Sequence, residues 1–408
     1  MNRPAGRAVT TTALLRYGVS LSAAAALLAG CSGSQPPLSM SPQGLAPQQL
    51  LAQRAYHIIH PFGRSEKDGT HPVADLIDVG GTLYGTTVNG GSNGAGTVYS
   101  ITTSGEETVL HHFGHAAHDG RLPMGRLLNV NGTLYGTTTA GGTNGGGTVF
   151  SISLSGAERV VHNFPYLGNG VPEAGLIDVD GTLYGTTGGL QGYWCGEVFS
   201  LTLGGKFKRM HYFGRGADGC APLAPLLNVN GTLYGTTSTG GNVETGGTVF
   251  TIKTTGQYKT LYNFGTNSND GEYPAAALIN VQGTLYGTTS SGGSGNRGTV
   301  FSITTDGSEK IVYSFAASGS NGSSPVAALK NVKGVLYGTT HGGGVHDLGT
   351  VFKVTKSGEE TVLKSFAKGD GISPATGVIA VSGTLYGTTF GSNAYKSTEY
   401  GNVFSLIP

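Results

Sequence analysis

Five aspartates recur in one setting, each followed by glycine and, four residues on, by proline: Asp68, Asp119, Asp218, Asp270 and Asp370. A ring of such carboxylates would suit a hard cation such as calcium, which takes oxygen ligands. Asn169-Gly170 and Asn321-Gly322 fill the same place twice, however, and each loop offers a single carboxylate. The pattern therefore reads as a turn in which Asp or Asn bonds its own backbone. Four histidines, His60, His111, His162 and His211, each stand two residues before an aromatic, and Tyr262, Tyr313 and Lys364 take that place later. A position open to His, Tyr or Lys is a packing position, so neither a metal nor another cofactor is expected. The exception to the pattern is Tyr193-Trp194, which holds the only tryptophan of the chain. Such a pair suits stacking on a sugar ring or anchoring a partner protein, against the plainer alternative that it covers its own loop. No serine elbow is expected, since the Gly-x-Ser-x-Gly at Gly90–Gly94 lies in a glycine loop with no helix to follow it, and no His-Glu-x-x-His zinc motif is present.

The elements that must position these residues repeat. Gly-Thr-Leu-Tyr-Gly-Thr-Thr begins at Gly81, Gly132, Gly181, Gly231, Gly283, Gly334 (with Val for Leu's neighbour Thr) and Gly383, at spacings of 51, 49, 50, 52, 51 and 49 residues. A period of this size marks a repeat architecture. Each unit carries four strand signals. In the second unit they run over 126–130, 133–138, 147–153 and 158–164, and Asn131-Gly132 between the first two suits a type I′ hairpin. Four antiparallel strands on this period make one propeller blade. Adjacent large apolar residues, as in Leu134-Tyr135 and Val149-Phe150, point to opposite faces of a strand, so both faces of a blade must be buried. The glycine inside Tyr-Gly-Thr-Thr is expected to allow close backbone approach near the axis.

The ends of the repeat region decide between ring and solenoid. It opens on a fourth-strand signal at Tyr56 to Phe62 and closes on a third-strand signal at Asn402 to Leu406. The first can complete the last blade and leave no orphan edge. The predicted fold is all-β, a seven-bladed β-propeller over 55–408, with long loops on one face, the top, as its binding surface. Cys195 and Cys220 are both placed on that face. In an exported chain they form an even pair, so a disulfide is expected between them, against the alternative of two separate thiols.

Residues 1–30 read as an export signal: Arg3, Arg7 and Arg16 precede an apolar run over 19–28 that is too short to span a bilayer. Leu28-Ala29-Gly30-Cys31 resembles the bacterial lipobox, which implies lipidation of Cys31, and Ser32 after it favours the outer membrane over the inner. Residues 31–54, rich in Pro, Ser, Gln and Ala, read as a flexible tether. A formal net charge of +1 with no basic stripe argues against a nucleic-acid partner.

The repeated heptapeptide, the Gly-Gly loop, Gly-Thr-Val-Phe and the turn after it resemble the tandem-repeat family described as choice-of-anchor or GloVer-repeat proteins. The resemblance covers Tyr56 to Pro408 and implies a secreted or surface-anchored protein with no established activity. Unit three departs from it with Gly196-Glu197-Val198-Phe199. The combined expectation is a monomeric, non-enzymatic, lipid-anchored propeller in the cell envelope whose top face binds a protein or glycan. The alternatives are a lyase or hydrolase with a top-face site assembled from several blades, and a purely structural envelope protein.

Overall fold

A computed structural model describes residues 56–166, 170–189, 194–214, 217–316, 320–391 and 400–408. The described residues all fall in one compact unit. They form seven antiparallel four-stranded sheets arranged as a seven-bladed β-propeller. In blade one the strands are Ile77–Val79, Thr82–Thr87, Thr97–Thr102 and Glu107–His112, ordered from axis to rim. The short first strands of successive blades are neighbours around the axis. Tyr56–Pro61 pairs antiparallel with Asn402–Leu406, so the N-terminal strand is the outermost strand of blade seven and closes the ring.

The expected hairpins form between first and second strands. Asn131 and Gly132 both take positive φ, 51° and 82°, as a type I′ turn requires. The same turn forms on Lys333-Gly334, with φ of 52° and 88°, although Lys is a poor residue for it.

Both faces of every blade are buried. Leu83 packs with Tyr386 and Val403 of blade seven, while its neighbour Tyr84 packs with Leu134 and Phe150 of blade two. The core is thus a series of layers between blades, each built from alternate residues of two sheets.

Each letter of Tyr-Gly-Thr-Thr has its own partner. The glycine does not meet backbone near the axis, contrary to expectation. It makes room for the third-strand aromatic of its own blade: a Cβ on Gly136 would lie 2.4 Å from Cζ of Phe150 and 3.0 Å from Cδ2 of Leu127. The first threonine reaches the next blade, Thr137 Oγ1 donating to the carbonyl of Ala174 at 2.9 Å. Thr186, Thr236, Thr288 and Thr339 repeat that link. The second stays at home: Thr138 and Thr148 share a buried hydroxyl contact at 2.9 Å. Blade three replaces the Thr148 equivalent with Glu197, a buried carboxylate that pairs with Arg209 on the adjacent strand.

Outer strands carry one further device. Val98 pairs with His111 but Tyr99 pairs with Val109, so Leu110 is an extra residue and the strand bulges there. In a regular strand residues four apart share a face. The bulge breaks that parity, and Glu107 faces blade seven while His111 faces blade two. One strand thereby serves two blade junctions.

Candidate functional site

The Asp-Gly loops are braced by their own aspartates. Asp68 Oδ2 accepts from the amide of Arg64 at 2.9 Å, and Asp119, Asp218 and Asp270 accept from the amides of His115, Gly214 and Thr266 four residues upstream. Asp370 does so from Ala367. Each carboxylate holds its own loop, and the five do not gather at the axis.

The fourth-strand histidines pack as the sequence indicates: His60, His111, His162 and His211 each lie edge-on to the aromatic two residues later, with centroids 4.8–4.9 Å apart. They also face a neighbour that sequence spacing does not reveal. At each junction a fourth-strand residue of one blade and the first residue of the next fourth strand come together, joined by the Asp or Asn of the connection wherever that residue is described. Their chemistry changes in step. His162 stacks flat on Phe207, and His211 on Tyr258. Lys364 pairs with Asp370 at 2.7 Å and lies over the ring of Tyr56. Tyr262 donates to Asp270 at 3.1 Å beside Glu309. Asn321 donates to the Tyr313 hydroxyl at 3.2 Å beside Glu360.

Burial pushes the Glu309 carboxyl up to about 7, with the charge of Asp270 adding to the effect and Tyr262 opposing it. Burial likewise pushes Glu360 up to about 7, opposed by its hydrogen bond with Tyr313. In the unfolded chain both would titrate near the ordinary 4.5. The folded protein therefore prefers the protonated form. This contribution is fully present below that ordinary value, falls as pH rises between the two values and is gone above about 7. Discounted for partial exposure, it amounts to ~1–2 kcal/mol for each group. The double variant Glu309→Gln, Glu360→Gln should accordingly melt a few degrees above the wild type at pH 8 and together with it at pH 4. Equal differences at both pH values would remove the basis for this expectation.

Two features distinguish the top and the axis. Cys195 and Cys220 form a disulfide, with Cα atoms 4.4 Å apart. The bridge joins the loop ahead of the third strand of blade three to the connection leaving that blade, and in the chain-entropy model a loop of this size is worth ~3 kcal/mol. Next to it Trp194 is 40% exposed and stands edge-on to Tyr212, itself 39% exposed, with ring centroids 6.4 Å apart. Tyr193, the other aromatic singled out from sequence, lies outside the described residues, as does Cys31. Tyr166, 69% exposed in the connection between blades two and three, was not singled out. Its signal is Phe164-Pro165-Tyr166, where units one and four continue the aromatic with glycine.

The axis holds a cavity of about 610 Å³ lined by residues of all seven blades. Its wall is mainly aliphatic, with Leu128, Ile177, Leu227, Ile279 and Ile379 in register, and Lys330 takes the equivalent place in blade six. Asp75 and Arg126 occupy a position that is glycine, proline or alanine in the other blades. Asp75 Oδ1 accepts from the amide of Gly377 at 2.7 Å and so ties blade one to blade seven. Among the described residues the lining contains no hydroxyl, thiol or imidazole side chain.

The model of the Gloeobacter/Verrucomicrobia repeat matches this chain at residues 43–193 and again at 187–404. None of the curated proteins matches it. Among solved structures it is similar to a puromycin hydrolase mutant complexed with PGG, at 13% identity and TM-score 0.54 over 85% of this chain and 52% of that one. A second puromycin hydrolase structure matches at 12% identity and TM-score 0.53, over 79% of this chain and 50% of that one. A puromycin-hydrolyzing peptidase of Mycobacterium tuberculosis matches at 11% identity and TM-score 0.49, over 80% and 52%. The chain spans about half the length of these proteins. At such identity the likeness concerns the propeller fold alone.

Proposed function

Because the chain belongs to the Gloeobacter/Verrucomicrobia repeat family, a family described by its repeat, we propose that it is a scaffold: a lipid-anchored, non-enzymatic propeller of the cell envelope that binds a protein or glycan with its top face. The observation that carries this reading is the Trp194–Tyr212 pair, two exposed aromatic rings beside a disulfide, at a unit that departs from the repeat with Glu197 in place of threonine. Rigid, partly exposed aromatics supply contact area at small entropic cost, which is what sugar stacking and interface anchors use. The described wall of the axial cavity offers no serine, threonine, cysteine or histidine for hydrolysis through an acyl intermediate of the serine or cysteine type.

The anchor is part of the proposal. Replacing Cys31 with Ala should abolish fatty-acid labelling and move the protein to the soluble fraction. On a glycan array and against purified envelope fractions, the wild type should bind and the variant Trp194→Ala, Tyr212→Ala should lose at least tenfold in affinity. Binding that is unchanged in the double variant would overturn the assignment of the face. Turnover of simple ester or amide substrates would overturn the non-enzymatic reading.

A further inference from the structure

We propose that His60, Asp68 and Glu107 form a binding site for one divalent transition-metal ion of the zinc class, clamped between the closing strand and blade one. The three side chains come from three places in the chain: His60 from the strand Tyr56–Pro61, Asp68 from the connection that leaves it, and Glu107 from the outer strand of the next blade. Their ligating atoms all lie within 4.8 Å of one another. Nε2 of His60, Oδ1 of Asp68 and Oε1 of Glu107 are all buried, and none has a hydrogen-bond partner. The Asp68 side chain is only 6% exposed. Its other oxygen is already held by the amide of Arg64, so Oδ1 is fixed in direction and aims at His60, 3.9 Å away.

At the other described junctions the aspartate or the histidine finds a partner, although Oε1 of Glu309, like that of Glu107, has none. Where Lys364 or Tyr262 replaces the histidine, the aspartate receives an ammonium or a hydroxyl. Where Phe207 or Tyr258 replaces the glutamate, the histidine stacks on a ring. At His60 neither substitution is made, and two carboxylates and an imidazole face one another without a partner. A neutral imidazole and two carboxylates carry a charge of about −2, which a divalent ion cancels. Burying such charges without a partner would cost several kcal/mol. One nitrogen with two oxygens suits zinc or cobalt, whereas calcium prefers oxygen alone. Ligand atoms on one zinc stand ~3.3 Å apart for bonds of ~2.0–2.1 Å, so the site must tighten modestly, within reach of the Glu107 side chain. His111, Asp119 and Glu158 repeat the residue types one junction on, but there His111 already leans on Asp119 at 3.3 Å.

The test uses the full chain, stripped with a chelator and titrated with Zn²⁺ and Co²⁺. The key variant is His60→Tyr, which copies the tyrosine, aspartate and glutamate of the Tyr262 junction and should fold as that junction does. Glu107→Gln is the second variant. Each should bind one metal equivalent fewer than the wild type, with loss of the matching part of the cobalt ligand-field absorption. Zn²⁺ should raise the melting temperature of the wild type by more than that of either variant. Calcium at equal concentration should not substitute. The proposal is overturned if the wild type takes up no zinc, or if folded His60→Tyr and Glu107→Gln both bind as much as the wild type.

Discussion

Deleting residues 56–61 should leave a protein that no longer accumulates as a folded monomer. The deletion strips the outer edge of blade seven, exposing the main chain of Asn402–Leu406 and one face of the core around Phe366 and Phe404. It also removes Tyr56, whose hydroxyl donates to the carbonyl of Asp370 at 2.5 Å and whose ring packs on both phenylalanines. Loss of the strand pairing and of one large buried aromatic is worth on the order of 5 kcal/mol or more, a large share of the 5–15 kcal/mol that keeps a typical protein folded. Size-exclusion chromatography should show aggregates or strand-exchanged oligomers, and a synthetic peptide Tyr-His-Ile-Ile-His-Pro in excess should restore part of the monomer. A truncated protein that remains monomeric and melts with the wild type would refute closure by this strand.

The second large effect belongs to a single methyl group. Gly136→Ala should destabilise the protein by ~3 kcal/mol or more, because the new Cβ would overlap the ring of Phe150 and that ring is fully buried between two blades. The ring has nowhere to go, so the conflict falls on the backbone. Adding Phe150→Leu should recover much of the loss, since a shorter side chain vacates the contested space. The measurement is the denaturation midpoint of the two single variants and the pair. Additive losses would mean that the contact does not govern the glycine. The type I′ hairpin glycines, by contrast, are required for their backbone angles, so no change to a neighbouring side chain should rescue them.

This contrast shows where sequence reasoning reached. Glycine after Asn, Asp or Lys in a hairpin acts on its own chain neighbours, and the turn at Asn131-Gly132 is legible from two letters. So were the period, the two-faced strands and the closing strand, which follow from alternation and from the missing turn at the ends. The Cys195–Cys220 bridge was legible because the repeat places both residues on one face of one blade. Gly136 was misread because its partner, Phe150, is identified by pairing register and not by spacing. The junction of His60, Asp68 and Glu107 was missed for a further reason. A bulge at Leu110 reverses the parity of the outer strand, and no alternation rule applied to Glu107 through His112 would assign its two ends to different junctions. Lys330 and Arg126 at the axis were likewise invisible, because only the closed ring brings their blades together.

The matched chemistry at the junctions bears on how such a gene can grow. Tandem copies invite unequal recombination, and each event would add or delete a whole blade. Interiors this uniform offer little resistance to a blade sitting beside the wrong neighbour. The junctions do resist: joining the strand that carries Tyr313 to one that begins with Phe207 would set the Tyr313 hydroxyl against a benzene ring in place of the Glu360 carboxylate. Each kind of junction thus favours its own kind of neighbour. A shuffled ring would contain the same blades, yet it would assemble with mispaired side chains at every seam that joined unlike kinds.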